Sequence, residues 1–269
     1  MDVDEVIQEK QWSGYRIAVL VVLGFGLALA SCGGNDSSLA PPTPAAPSPS
    51  GLWTGSFTST TDGGFHQAIG LISENRDAQF LVAAISGRHI SGQLTTDGDW
   101  LTGTLNVFLG REGPFFGFGG VQSILLDGTV EEKNGLFGNY SGDEDAGRFN
   151  LNYMSLYEDE SSLSRVAGVW IFSEAAAGGA LYTVTLDIDD NGNIFGTDTG
   201  GCVYSGGINL IDARFNGYQV TFNVTECLRK NGDYSGLSWL SSINGGQENR
   251  LTLTLSKANR AFAAPMQKL

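Results

Sequence analysis

From Gly51 onward the chain alternates apolar and polar residues with a period of two, the repeat of a half-buried strand and not of a helix. Leu181-Tyr182-Thr183-Val184-Thr185-Leu186-Asp187-Ile188 alternates, Asn191-Gly192 supplies a hairpin turn, and Ile194-Phe195-Gly196-Thr197 returns. Tyr218-Gln219-Val220-Thr221-Phe222-Asn223-Val224 and Leu251-Thr252-Leu253-Thr254-Leu255 repeat the pattern. Turn signals recur about every 8–12 residues, and no amphipathic helix is legible after Ser50. The 38 glycines supply turns, while five of the seven prolines lie before Gly51, so the strands are almost free of breakers. These features specify an all-β protein built from sequential antiparallel hairpins.

The pattern occurs twice. Gly51-Leu52-Trp53 recurs as Gly168-Val169-Trp170, and Gly87-Arg88-His89-Ile90-Ser91-Gly92 as Gly201-Cys202-Val203-Tyr204-Ser205-Gly206. Asn139-Tyr140-Ser141-Gly142 recurs as Asp233-Tyr234-Ser235-Gly236, and Arg148-Phe149-Asn150-Leu151 as Arg250-Leu251-Thr252-Leu253. Four matches in one order indicate a duplication. They divide the chain into a first unit at 51–158, a polar boundary at 159–165, a second unit at 166–257 and a tail at 258–269. Each unit has room for seven or eight short strands and its own core, closed as a barrel or packed as a sandwich. The opening Gly-x-Trp resembles the start of lipocalin-like and avidin-like barrels, and that resemblance implies a tryptophan plugging one barrel end. Two-barrel surface lipoproteins such as transferrin-binding protein B are similar in outline.

The N-terminal region addresses location. An apolar run from Ile17 ends in Leu29-Ala30-Ser31-Cys32, which resembles the lipobox of bacterial lipoproteins. The run is too short to span a bilayer comfortably and fits a signal-peptide core. The resemblance implies a signal at 1–31, cleavage before Cys32, diacylglycerol on its sulfur, and a membrane partner reached through lipid. Gly33 after the cysteine implies release to the outer membrane. One feature departs from the pattern: residues 1–16 carry Asp2, Asp4, Glu5 and Glu9 against Lys10 and Arg16, which a start at Val6 would largely repair. An uncleaved membrane helix is the competing reading. Residues 33–50, rich in proline and serine, form a tether behind the lipidated cysteine, giving a linker at 32–50.

Charge and cysteines bound the chemistry. With 15 basic and 29 acidic residues the net charge is −14, which repels phosphate backbones and argues against nucleic-acid binding. Beyond Cys32 only Cys202 and Cys227 remain, an even number that in an exported chain points to a disulfide. Closing that loop would contribute roughly 3 kcal/mol.

Candidate sites are few. Asp187, Asp189, Asn191 and Asp198, with Gly192 between, match the spacing of a calcium loop, the one cofactor the sequence suggests. A plain Asn-Gly hairpin explains the same residues. Phe115, Phe116 and Phe118 lie on a glycine-rich connection absent from the second unit, as a contact loop for a partner or as barrel packing. His66 and His89 lack any nucleophile motif, and no hydrolase, metalloprotease or phosphate-loop signature is present. Asp143-Glu144-Asp145 and Glu131-Glu132 could serve a carboxylate-dependent envelope hydrolase, the alternative reading. The preferred expectation is a non-enzymatic, lipid-anchored module of the cell envelope that binds a protein or a small apolar ligand, or serves structurally.

Overall fold

The computed structural model describes residues 46–269 apart from 84–87, 111–117, 176–178, 180, 228–229 and 243–247. The expected Cys32, signal and most of the linker lie outside the described residues. The first unit runs β1 (Gly51–Ser59), β2 (Phe65–Ile72), β3 (Asp77–Ala83), β4 (Arg88–Gln93), a short β5 (Thr95–Asp97), β6 (Trp100–Leu109), a two-residue β7 (Phe118–Gly119), β8 (Val121–Glu131), β9 (Gly135–Gly142) and β10 (Ala146–Met154). Each long strand pairs antiparallel with the next, β4 pairs β6, and β1 pairs β10, so eight strands close on themselves. A 3-10 turn (Ser155–Glu158) and a single helical turn, α1 (Leu163–Val166), lead to the second unit. It runs β11 (Gly168–Ala175), β12 (Leu181–Ile188), β13 (Asn193–Asp198), β14 (Val203–Leu210), β15 (Tyr218–Thr225), β16 (Gly232–Ser242), β17 (Glu248–Lys257) and β18 (Arg260–Lys268). Pairs Trp170↔Lys268 and Ile171↔Gln267 close it. The protein is thus two tandem eight-stranded antiparallel barrels, the barrel form of the expected seven or eight strands per unit and not a pair of sandwiches. Among the described residues no helix is long and apolar enough to cross a membrane.

Residues 258–269, expected as a tail, instead contain the closing strand of the second barrel. Ala261-Phe262-Ala263-Ala264-Pro265 lacks a clean alternation, and proline within a run argues against a strand. The structure accommodates Pro265 because β18 meets β7 only at Arg260 and Ala261, and β11 only at Gln267 and Lys268. Its missing N–H falls between those two short pairings. The same omission displaces two repeat matches by one strand. Tyr140 sits on the seventh barrel strand (β9) and Tyr234 on the sixth (β16), while Phe149 lies on the eighth (β10) and Leu251 on the seventh (β17).

The first repeat match is a true structural equivalence. Trp53 and Trp170 are fully buried, and each indole N–H donates four residues back, to Pro49 O at 3.0 Å and to Val166 O at 2.7 Å. The glycine two residues before each tryptophan is required for a different reason. A Cβ at Gly51 would lie 2.6 Å from the Tyr153 ring, whereas Gly168 has φ +123°, which side-chain-bearing residues rarely adopt.

Both barrels are filled, as small eight-stranded barrels generally are. In the first, Phe57 packs against Phe80, Tyr140 and Phe149 with ring centroids 5.6–6.3 Å apart. In the second, Phe222 stacks on Phe262 at 5.7 Å and meets Tyr204, while Tyr234 caps Phe262 edge-on. A third cluster belongs to neither lumen. Leu237 and Trp239 on the outer face of β16 pack against Leu52, Leu71 and Tyr157. Consequently β16 and β17 are buried on both faces, and Thr254, polar-out by alternation, is fully buried and donates to Leu237 O at 2.8 Å. Asn216, also fully buried, ties the junction. Its amide donates to Leu240 O at 2.8 Å and Leu156 O at 3.2 Å, and accepts from Leu240 N at 2.9 Å.

Candidate functional site

The barrel ends remote from the tryptophans gather polar and ionisable groups. At the first, the β9–β10 turn presents Asp145 to residues from three other elements. Ser59 Oγ donates to Oδ1 at 2.6 Å, and Arg88 Nη1 and Tyr140 OH donate to Oδ2 at 2.7 and 3.1 Å. Burial pushes the Asp145 carboxyl up, but those three donors outweigh it and hold it below the ordinary carboxylate value. Burial first, then the Asp145 charge, raises the Tyr140 phenol to about 12. Beside them His66, nearly buried, contacts Asp62 at 3.2 Å. The space bounded by Phe57, His66, Arg88 and Asp145 amounts to about 20 Å³, room for a single water and not for a sugar ring. Asp145, one of the carboxylates considered for hydrolysis, is engaged as a clamp across the barrel mouth.

The second barrel seals the corresponding end differently. Cys202, just before β14, and Cys227, just after β15, form a disulfide with Cα atoms 4.6 Å apart. The two strands are neighbours, as a meander requires. Asp198 sits beside the bridge. Its Oδ2 accepts from Tyr204 OH at 2.5 Å and from Tyr182 OH, and its Oδ1 from Gly200 N at 2.8 Å and Cys202 N at 3.0 Å. Burial and the Asp198 bonds push both phenols well above their ordinary values. The acid and the two sulfurs lie close enough to hold an ion, but the sulfurs are bonded to each other.

The calcium-loop residues do not converge. Asp189 closes the β12–β13 hairpin, its Oδ1 accepting from Asn191 N at 2.9 Å and Asn193 N at 2.8 Å. Asn193 Nδ2 donates to the other oxygen, and these bonds hold the exposed Asp189 carboxyl below its usual value. Asp187 is on β12 and Asn191 in the turn, both at the tryptophan end, whereas Asp198 is at the far end of β13. A strand of this length separates them by roughly 15 Å, so sequence spacing alone produced the match. Gly192 has φ +81°, and a Cβ there would meet Ile208 O at 2.3 Å, which accounts for the Asn-Gly pair.

Phe115 and Phe116 lie outside the described residues. The backbone of Phe118 and Gly119, as β7, pairs with Ala261 and Arg260 of β18, so the connection peculiar to the first barrel reaches the second.

A further concavity lies where the barrels meet and was not signalled by any motif. It encloses about 400 Å³ between the outer faces of β3 and β4 and those of β15, β16 and β17. Gln79 forms part of its floor, and Ser91 Oγ meets Ser256 Oγ of the other barrel at 3.2 Å. Gln79 is held by His89, fully buried against Phe108, with Nε2 and Oε1 2.5 Å apart. Burial pushes the His89 imidazole down to about 3, so the ring is neutral near pH 7 and its Nε2–H donates to Gln79 Oε1. Polar residues on outward strand faces read as ordinary solvent-facing positions, and only their apposition across two barrels makes a cleft.

No family model matches the chain, and no curated protein does so. Among solved structures it is similar to that of a "putative outer membrane protein" from Bacteroides fragilis NCTC 9343. The identity is 10%, the TM-score 0.29, and the match covers 82% of this chain and 97% of the other. A likeness at that level carries no argument about fold, location or role.

Proposed function

We propose that this chain is a lipid-anchored, non-enzymatic module of the bacterial cell envelope that binds through the outer surfaces of its barrels. The observation that carries the reading is that aromatic side chains cross both lumens, so the barrels are scaffolds and not calyces for a small apolar ligand. The carboxylates at the two barrel mouths support it too, since Asp145 and Asp198 spend their oxygens on structural hydrogen bonds. A disulfide suits an oxidising compartment. The lipobox-like Leu29-Ala30-Ser31-Cys32 and the proline-rich tether supply attachment and reach. Mass spectrometry of the N-terminal peptide from native membranes tests the anchoring. A diacylglyceryl-modified Cys32 is expected, and an intact 1–31 segment on the membrane form overturns the lipoprotein assignment.

A further inference from the structure

The geometry points to the cleft between the barrels as a binding site for a neutral, hydroxyl-rich ligand of about disaccharide size, that is, a saccharide. This deepens the binding reading above and does not depend on lipidation.

The argument begins with unused hydrogen-bonding capacity. Gln79 is only 7% exposed, and with its Oε1 taken by His89 its amide NH2 has no protein partner among the described residues. Neither do the side chains of Asp77, Gln219 or Ser235, which face the same space. The unpartnered groups on the lining are therefore two amides, a hydroxyl and a carboxylate, which together supply both donors and acceptors. A sugar hydroxyl both donates and accepts, so adjacent hydroxyls can meet such a set in full.

Other ligand classes fit less well. Among the described residues no lysine, arginine or histidine lines the cleft, and the protein is strongly acidic, so anions are disfavoured. A single carboxylate falls short of the oxygen set a hard cation requires. An apolar molecule would strand the amides. A volume of about 400 Å³ lies within the range of small-ligand sites. The site is also pre-ordered: Gln79 is locked by His89, and Ser91 and Ser256 bridge the barrels beneath it, which lowers the entropy lost on binding.

The test is a titration of the full chain, purified from membranes in detergent, with cellobiose, maltose, lactose, chitobiose and trehalose. Saturation-transfer NMR and calorimetry provide the readout, and a neutral Gly-Ser tetrapeptide and inorganic phosphate are run alongside. At least one disaccharide should bind saturably. Gln219→Ala and Gln79→Ala should each weaken it about tenfold, the loss of one or two hydrogen bonds, and Ser235→Tyr should abolish it by filling the cleft. Ser235 and Gln219 are not core residues, so these two variants remain informative if Gln79→Ala perturbs folding. Leu125→Ala, on the outer face of β8, should leave binding unchanged. Absence of saturable binding by all five sugars up to about 20 mM, a range reaching well beyond millimolar affinity, overturns the proposal. So does binding indifferent to Ser235→Tyr, or tighter binding of the tetrapeptide. The state of Cys32 is read separately by mass, so either assignment can fail alone.

Discussion

Two buried polar side chains set the residue-scale energetics. Ser238 is fully buried on β16, and its hydroxyl has no hydrogen-bond partner among the described residues. An unsatisfied buried hydroxyl costs about 1–3 kcal/mol, so Ser238→Ala should stabilise the protein by about 1 kcal/mol. A higher urea midpoint at unchanged slope is the expected result. His89 acts through pH. Its imidazole titrates near 6.5 when unfolded and is pushed down to about 3 in the fold by burial. As pH falls below 6.5 the unfolded chain takes up a proton that the native state refuses, and stability is lost across the window from 6.5 to 3. Between pH 7 and pH 5 the loss is about 2 kcal/mol. His89→Leu should flatten that part of the stability profile, measured by urea melts at each pH. Asp145, whose carboxyl is held low, loses its contribution only at more acid pH, as it protonates.

At the scale of elements, the closing strand β18 carries the clearest consequence. Phe262, Ala264 and Met266 belong to the second core, and the strand supplies the ring's final pairings. Truncation after Lys257 should therefore abolish the second barrel's near-ultraviolet circular dichroism, whereas a true tail could be removed without effect. The disulfide acts at the opposite end of the same barrel. Replacing both cysteines by alanine should cost about 2–4 kcal/mol, the usual range for a bridge, read from the denaturant midpoint. The strands themselves were legible because alternation and glycine turns are local properties of the chain. Arg260–Lys268 was not, because a run of alanines with a proline becomes a strand only when β17 supplies the ladder on one side and the other side is left open at the proline.

For the whole molecule, the decisive structure is the junction. Leu237, Trp239 and Tyr157 are buried by the meeting of two barrels and not by either alone, and Tyr157 stacks on Phe215 at 4.9 Å. The packing couples the barrels energetically and creates the polar cleft beside it. Trp239→Ala removes a large buried side chain, a loss of about 3–5 kcal/mol at a core-like site. Calorimetry should then resolve two unfolding transitions where the parent chain shows one. A single transition shifted as a unit would mean that the barrels are held together mainly elsewhere.

By itself the sequence determined the all-β class, the duplication into two units of seven or eight strands, the paired Gly-x-Trp openings and the pairing of Cys202 with Cys227, since each depends on local periodicity, turn chemistry or a count. Tertiary structure alone decided three further matters. It separated Asp198 from Asp189 and Asn191, because residues close along a hairpin stand at opposite ends of its strand. It buried Thr254 and Trp239 on an outward face, because alternation reports which side of a strand a residue occupies and not what covers that side. It brought Gln79 of one barrel near Gln219 and Ser235 of the other. The spacing of such a site is set by how two closed surfaces dock, and no periodicity along the chain encodes it.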